Sequence, residues 1–430
     1  MNYQETLDFL YAQLPVFETQ GAHAYKPGLE RVCEMDALLN FPHQKFRTIH
    51  VGGTNGKGSC SHTLASILQC AGYKVGLFTS PHLLDFDERI RVNGSPIDHQ
   101  YVIDWVAQWQ PQMAHLQPTF FELTNMMAFC YFAEQKVDVA VIEVGLGGRL
   151  DSTNIIHPDL CIITNISFDH MQFLGDTLPQ IAAEQAGIMK PGVPCVIGEC
   201  DDERVRFTFQ QNAQLHEVSR LKFAADKPQI MWVEHEVGRN IYRTINDGDL
   251  SSPLQGACQP HNANTILTAV HLLRQQGYNI NEGQLHEGFS RVLELTHLRG
   301  RWEQLADHPY VVCDTGHNEG CFSYLGPQLQ QLAETHPHLH IVFGMVADKD
   351  IESVLRLLPT AATYYFCNAP TPRALPAAQL QQMCAPLGLE GACYASPKEA
   401  FEAAKNAASE SDAIFVGGSN FIVCEILSLY

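Results

Sequence analysis

From Val51 to Ser59 the chain reads VGGTNGKGS, with the β-branched run RTIHV leading into it from Arg47 and the helical pattern SHTLASILQ following from Ser61. A strand, a glycine-rich turn and a helix in that order constrain the fold more than any other segment. Glycines at 52, 53, 56 and 58 let the backbone curl so that N–H groups point inward, and the helix N-terminus adds its dipole toward an anion. This is the pattern of a phosphate-binding loop, with Lys57 placed to meet the β- and γ-phosphates of a nucleotide. The spacing departs from the common G-x-x-x-x-G-K-[ST] form, because three residues separate Gly52 from Gly56 and Gly58 stands between Lys57 and Ser59. A glycine-rich turn without a ligand is the plainer alternative.

The same alternation of short apolar runs and longer amphipathic segments continues through KVGLF (from Lys74), VDVAVIEV (from Val137) and DLCIITNI (from Asp159). Runs that are apolar almost throughout, such as 137–144 and 160–166, suit parallel strands covered on both faces, with helices as crossovers. From Glu199 to about Gln255 the chain turns more polar, with strand-like pieces such as IMWVEHEV, before a helical segment near Pro260; this reads as the periphery of the first domain. After Leu298 the alternation restarts with YVVCD, HIVFG, TYYFC and AIFVG. The expected architecture is therefore α/β twice over: a doubly wound domain carrying the phosphate loop over 1–297, and a smaller Rossmann-like α/β domain over 298–430. The joint at 294–301 is not rich in Gly or Ser, which suits domains that close on one another.

Composition excludes several functions. The 430 residues carry a formal net charge of −20, which opposes a nucleic-acid backbone, so a phosphate must be held by one local, well-aimed site. Hydrophobic residues at 45% and charged residues at 17% belong to a globular chain. The 14 cysteines show no C-x-x-C pair, Cys195 and Cys200 coming closest, and read as buried thiols of a reducing compartment. The N-terminal MNYQETLDFL has no basic region and opens no apolar span of ~18 residues, so a cytoplasmic protein with no membrane partner is expected.

GTNGKGS resembles the signature of the Mur ligase superfamily, which makes amide bonds through an ATP-derived acyl phosphate. Four further motifs, TSPHLLDFDERIRVNG (79–94), FFELT (120–124), EVGLGGRLDSTN (143–154) and SFDHMQFLGDT (167–177), resemble the folylpolyglutamate synthase and dihydrofolate synthase family in order and spacing. LRGRWE (298–303), DTGHN (314–318), FGMVADKD (343–350) and GGSNF (417–421) carry the resemblance through nearly the whole chain. It implies a Mur ligase-like central domain followed by a glutamate-ligase domain. The implied activity is ATP-dependent addition of L-glutamate to 7,8-dihydropteroate, giving dihydrofolate, and to the γ-carboxylate of reduced folates, by a monomer that uses one or two Mg²⁺ ions.

The resemblance also implies roles. Thr54, Asn55, Gly56, Lys57, Gly58 and Ser59 would hold ATP together with Asn262, Arg301 and Asp314. Ser80 and Glu143 would ligate one Mg²⁺, and Glu143 and His170 a second, with Ser80 also among the substrate contacts. Lys26, Gly28, Phe121, Glu122, Leu150, Asp151 and Ser152 would line the pteroate pocket. Arg89, His317 and Ser419 would hold the incoming glutamate. Lys57, His170, Asp314 and His317 are the expected catalytic set.

Residue chemistry alone supports some of these assignments and leaves others open. Glu143 closes an apolar strand, at the edge where parallel sheets bind ligands, and an acid there expects a metal of hard-oxygen preference. His170, placed at the end of another apolar strand, reads equally as a hydrogen-bonded structural histidine. Phe120 and Phe121 read equally as core and YKPGLERV (from Tyr25) as a helix start, while for Arg89 an ion pair with Asp87 is the lesser alternative. VIEVGLGG lacks the G-x-G-x-x-G of a dinucleotide turn.

Two positions depart from the family pattern. Relatives carry E-K-A-G-I after the histidine motif, with a carbamylated lysine near the second metal; here Gln185 stands in that place and cannot be carbamylated, which leaves the second Mg²⁺ short of charge. Lys190 is a different position and a poor substitute. Cys258 replaces a frequent histidine, while Gln259, Asn262 and Ala263 are retained. A monofunctional folylpolyglutamate synthase, and a P-loop ATPase or nucleotide-binding module without ligation, are the rival readings.

Overall fold

The computed structural model describes residues 1–16 and 26–430; Tyr25, where YKPGLERV begins, lies outside the described residues. The chain forms two compact units. One comprises Met1–Ile166, Met171–Pro253 and Gln259–Leu298; the other comprises Ser167–His170, Leu254–Cys258 and Arg299–Tyr430.

The first unit is built on an eight-stranded sheet in the order β4-β3-β2-β5-β1-β6-β7-β8. Its strands are β1 (Arg47–Gly52), β2 (Val75–Phe78), β3 (Ile90–Val92), β4 (Ser95–Pro96), β5 (Val139–Glu143), β6 (Leu160–Ile163), β7 (Cys195–Ile197) and β8 (Leu221–Phe223). From β2 through β8 the neighbours pair in parallel, and β3 and β4 add an antiparallel edge. Every residue of β2, β5 and β6 is buried, the condition for a sheet covered on both faces. On one face lies Phe120–Gln135, a helix apolar nearly all round, with Met126, Met127 and Phe129 fully buried. On the other face Lys57–Cys70 buries an unbroken run from Ser59 to Leu68, because Gln259–Gln275 and Glu282–Ser290 pack outside it.

The polar stretch after Glu199 contains the helix Glu203–Leu215, then β8, then a three-stranded antiparallel sheet of β9 (Ile230–Glu236), β10 (Arg239–Thr244) and β11 (Asp249–Ser252). Of β9 only Ile230 and Val233 are half-buried, so its apolar alternation is weak.

The second unit has a six-stranded sheet in the order β12-β13-β17-β14-β15-β16. These are β12 (Glu303–Ala306), β13 (Tyr310–Cys313), β14 (Leu339–Phe343), β15 (Thr363–Cys367), β16 (Gly391–Tyr394) and β17 (Ala413–Gly417), all parallel except β12. Phe322, Phe343 and Phe366 are fully buried in its core. Among the described residues no helix is long and apolar enough to cross a membrane.

The helix behind the phosphate loop is held by a close approach. A Cβ on Gly288 would stand 2.5 Å from Ile67 Cα, and Ser66 Oγ donates to Gly288 O at 2.8 Å. Gly288→Val should therefore cost about 1–3 kcal/mol, the range for overpacking a tight contact. The check is the urea midpoint, and an unchanged midpoint would contradict this packing.

Candidate active site

β1 delivers the phosphate loop. Gly53 has φ +122°, and a Cβ on it would lie 2.0 Å from Thr164 Oγ1, so both backbone and space demand glycine. The first loop amides turn toward the protein, contrary to the expectation that they face a ligand. Gly53 N–H donates to Gln185 Oε1, Thr54 N–H to Asn165 O and Asn55 N–H to Asn165 Oδ1, each at 2.9 Å. Thr164 Oγ1 donates to Asn55 O at 2.5 Å, so the end of β6 and the 178–186 helix together frame the loop. Gly56, with φ +82°, precedes the helix that carries Lys57, Gly58 and Ser59 on its first turn. Lys57 Nζ donates to Gly53 O and Thr54 O, both at 2.9 Å, folding back over the curl. Asn262 Oδ1 would lie 2.3 Å from a Cβ on Gly56. Gln259 Oε1 accepts from Asn262 Nδ2 and its Nε2 donates to Ser59 Oγ. Asn262 thus borders the loop that sequence reasoning paired it with.

Parallel pairing brings the acid to the same edge. Val51 of β1 is in register with Glu143, the last residue of β5, and Ser80 follows the end of the adjacent β2. Glu143 is only 4% exposed. A buried carboxylate and a hydroxyl at the ends of neighbouring strands are a hard-oxygen donor set, and they fit a Mg²⁺ ion. His170 is placed differently from expectation. β6 ends at Ile163, and His170 follows in an irregular segment of the second unit, with φ 50° and its Nε2 3.8 Å from Asp169 Oδ1.

The loop after Glu143 is organised by Asp151. Its Oδ2 accepts from Gly145 N–H (3.1 Å) and Leu146 N–H (2.9 Å), and its Oδ1 accepts from Thr153 N–H (3.0 Å) and Thr153 Oγ1 (2.5 Å). Burial pushes this carboxyl up, and those donors pull it back. Thr153 Oγ1 also meets His50 Nε2 at 2.9 Å in the middle of β1. His50 is fully buried, and burial first, with Lys190 second, drives its pKa down to about 3. Ser152 is buried and its carbonyl accepts from Asn125 Nδ2, while Leu150 is half-buried. Phe121 lies across Gly145, where a Cβ would come within 2.4 Å of the ring. Lys190 stands past the end of the 178–186 helix and donates to Asn154 O at 2.9 Å, a place of its own and not that of Gln185.

Glu122 is buried as N3 of a capping box with Thr119, and it pairs with Arg31 at 3.0 Å. Arg31 also donates to Lys26 O, and Lys26 Nζ donates to Gln117 O, so Glu122 anchors the segment containing Lys26 and Gly28. Arg31 was missed in the sequence; its signal is the E-R pair within YKPGLERV. Arg89 is 1% exposed, with Nε donating to His82 Nδ1 at 2.7 Å and its guanidinium 5.3 Å from the Phe120 ring centre. Asp87 takes His99 at 2.9 Å.

In the second unit Asp314 follows the end of β13 and is clamped by Trp302 N–H and Gly316 N–H, each at 2.7 Å. Burial pushes its carboxyl up against the pull of Arg301. Arg301 donates to Thr315 Oγ1 and to Gly300 O. His317 places Nδ1 3.0 Å from Thr315 O and Nε2 3.4 Å from Asp169 Oδ2. Asp169 also accepts from Lys349 Nζ (2.5 Å) and Asn318 Nδ2 (2.9 Å). Burial alone would raise its pKa, but Lys349, His170 and His317 together hold it well below the usual range. Asp169, Lys349 and Asn318 lie inside recognisable motifs, yet nothing in their spacing marks them as one cluster. Ser419 is buried as the N-cap of Asn420–Leu427. Burial also raises the Cys258 thiol, away from a reactive thiolate.

The Mur ligase middle domain matches residues 51–273, and the Mur ligase glutamate ligase domain matches 300–420. The dihydrofolate synthase/folylpolyglutamate synthase of Bacillus subtilis is 35% identical over 388 residues, covering 86% of each chain. The chain belongs to the dihydrofolate synthase/folylpolyglutamate synthase family of Mur ligases. Among solved family structures, Escherichia coli FolC in complex with DHPP and ADP is 29% identical with a TM-score of 0.84, covering 100% of this chain and 97% of that one. The bifunctional Yersinia pestis family enzyme complexed with AMPPNP and Mn ion is 27% identical with a TM-score of 0.82, covering 100% and 98%. Like these family members the chain is an ATP-dependent ligase that works with a divalent metal.

The buried His50 makes a pH prediction. Its unfolded pKa is near 6.5 and its folded pKa about 3, so between those values the unfolded chain binds the extra proton and stability falls as pH falls. The loss should reach about 1 kcal/mol per pH unit below pH 6.5. Urea midpoints at pH 6.5 and 4.5 should drop less in His50→Gln than in the wild type; equal drops would contradict the burial argument.

Proposed function

We propose that the chain adds L-glutamate to 7,8-dihydropteroate and to the γ-carboxylate of reduced folates, each through an acyl phosphate, as a cytoplasmic monomer. The observation that carries this reading is the sheet edge itself: a phosphate loop at the end of β1, with Glu143 and Ser80 at the ends of the parallel strands beside it. In the first displacement a carboxylate oxygen attacks the γ-phosphorus of ATP and ADP leaves. In the second the α-amine of glutamate attacks the acyl carbon and phosphate leaves, giving the amide.

No protein nucleophile is required, so rate comes from positioning and electrostatics. Thr54 to Ser59 surround the phosphates, with Lys57 exchanging its loop carbonyls for phosphate oxygens. Asn262, Arg301 and Asp314 are the further residues assigned to the nucleotide. Ser80, Glu143 and His170 are the residues that would hold Mg²⁺, which supplies positive charge beside the transferred phosphoryl group. Lys26, Gly28, Phe121, Glu122, Leu150, Asp151 and Ser152 shape the acid pocket, Asp151 through its grip on the Gly145–Leu146 backbone. Arg89, held by His82 and Phe120, offers its guanidinium to a carboxylate; His317 and Ser419 orient the glutamate.

The test is glutamate-dependent ADP release with Mg²⁺ and ATP, run with 7,8-dihydropteroate and with tetrahydrofolate, while mass spectrometry reads the products. Amide from both acceptors is expected. Amide from tetrahydrofolate alone would make the chain a monofunctional folylpolyglutamate synthase, and ADP release without glutamate would make it an ATPase. Lys57→Ala should lower kcat at least about a hundredfold, and near-normal turnover would remove the phosphate-loop assignment.

A further inference from the structure

Gln185 is the second-last residue of the Leu178–Ala186 helix and is 2% exposed. Its side chain reaches the phosphate loop: Oε1 accepts the buried Gly53 N–H at 2.9 Å and lies 3.3 Å from where a Cβ on Gly52 would stand. Its main chain serves the neighbouring loop. The carbonyls of Glu184 and Gln185 would lie 2.9 and 2.8 Å from a Cβ on Gly148, and Glu184 O accepts from Arg149 N–H at 2.9 Å. One helix end therefore touches both the loop after β1 and the loop after β5.

We propose that Gln185 is a positioning residue for nucleotide binding: its side-chain oxygen fixes the entry of the phosphate loop by holding Gly53 N–H. The chemistry of the position explains the residue type. Gly53 offers a donor in a dry place, so the partner must be an acceptor, and an amide oxygen accepts without adding charge beside phosphates. An unmodified lysine ammonium, unlike a carbamylated one, would set donor against donor there. Thr164 and Asn165 hold the next residues of the loop from β6, and Gln185 is the hold that comes from the helix. With Gly53 fixed, the curl that follows presents Lys57 and the helix N-terminus in one arrangement before nucleotide arrives, which lowers the ordering cost of binding.

The inference rests on the phosphate-loop reading, and the experiment separates the two. ADP affinity with Mg²⁺ is measured calorimetrically for the full chain, and hydrogen exchange of Gly53 is read in protein labelled with ¹⁵N-glycine. Gln185→Met keeps length and burial but has no strong acceptor; a buried N–H left unmet corresponds to about tenfold weaker ADP binding. Gly53 should exchange faster in that variant, with the affinity for dihydropteroate changed less than that for ADP. Gln185→Glu keeps an acceptor of the same reach and should retain Gly53 protection, which keeps the proposal testable if Gln185→Met does not fold. ADP affinity within twofold of wild type in Gln185→Met, or loss of Gly53 protection in Gln185→Glu, would overturn the role of Gln185. Unchanged ADP affinity in Lys57→Ala would instead overturn the phosphate-loop reading beneath it.

Discussion

The parallel pairing of β1 with β5 on one side and β6 on the other is the constraint on which the first unit depends. Its register sets Val51 opposite Glu143 and Ile162, so the chain leaves all three strands at one edge. From that edge β1 continues into the phosphate loop, β5 into the Gly145–Ser152 loop, and β6 into Thr164 and Asn165, which frame the phosphate loop from the side. A one-residue slip would turn Glu143 away from this edge and pull the framing oxygens off the loop. The buried apolar faces of β2, β5 and β6 forbid that slip.

A site at such an edge carries buried polar groups, and the chain answers most of them with backbone donors. Asp151 accepts from three N–H groups and one hydroxyl, Glu122 from a capping N–H and Arg31, and Asp314 from two N–H groups. Charges held this way lose little freedom when a ligand binds, because their positions are already set. Asp151 illustrates this: its carboxylate shapes the loop from within, through the Gly145, Leu146 and Thr153 donors.

Much of this was legible in the sequence because the informative segments obey local rules. VGGTNGKGS needs φ above zero at Gly53 and Gly56, and both have it. The predominantly apolar runs at β5, β6, β13, β14, β15 and β17 are strands for the reason their composition suggests. The edge strands β12 and β16 were not visible, since their residues are half-exposed and alternate weakly. His170 was misplaced because the run read as a strand to Ile166 outlasts β6, which stops at Ile163; Thr164 N–H still bonds Gly52 O, while its hydroxyl already turns to the phosphate loop. The clusters around Asp169 and Gln185 join residues far apart in the chain, and only tertiary structure brings Lys349 to one or Gly53 to the other.

The proposed ligation depends on ATP activating a carboxylate before the amine arrives. The direct measurement uses an acceptor whose reacting carboxylate is labelled with ¹⁸O, followed by mass spectrometry of the inorganic phosphate released during amide formation. One ¹⁸O atom is expected in each phosphate, carried over from the acyl phosphate. Unlabelled phosphate alongside full amide formation would contradict it.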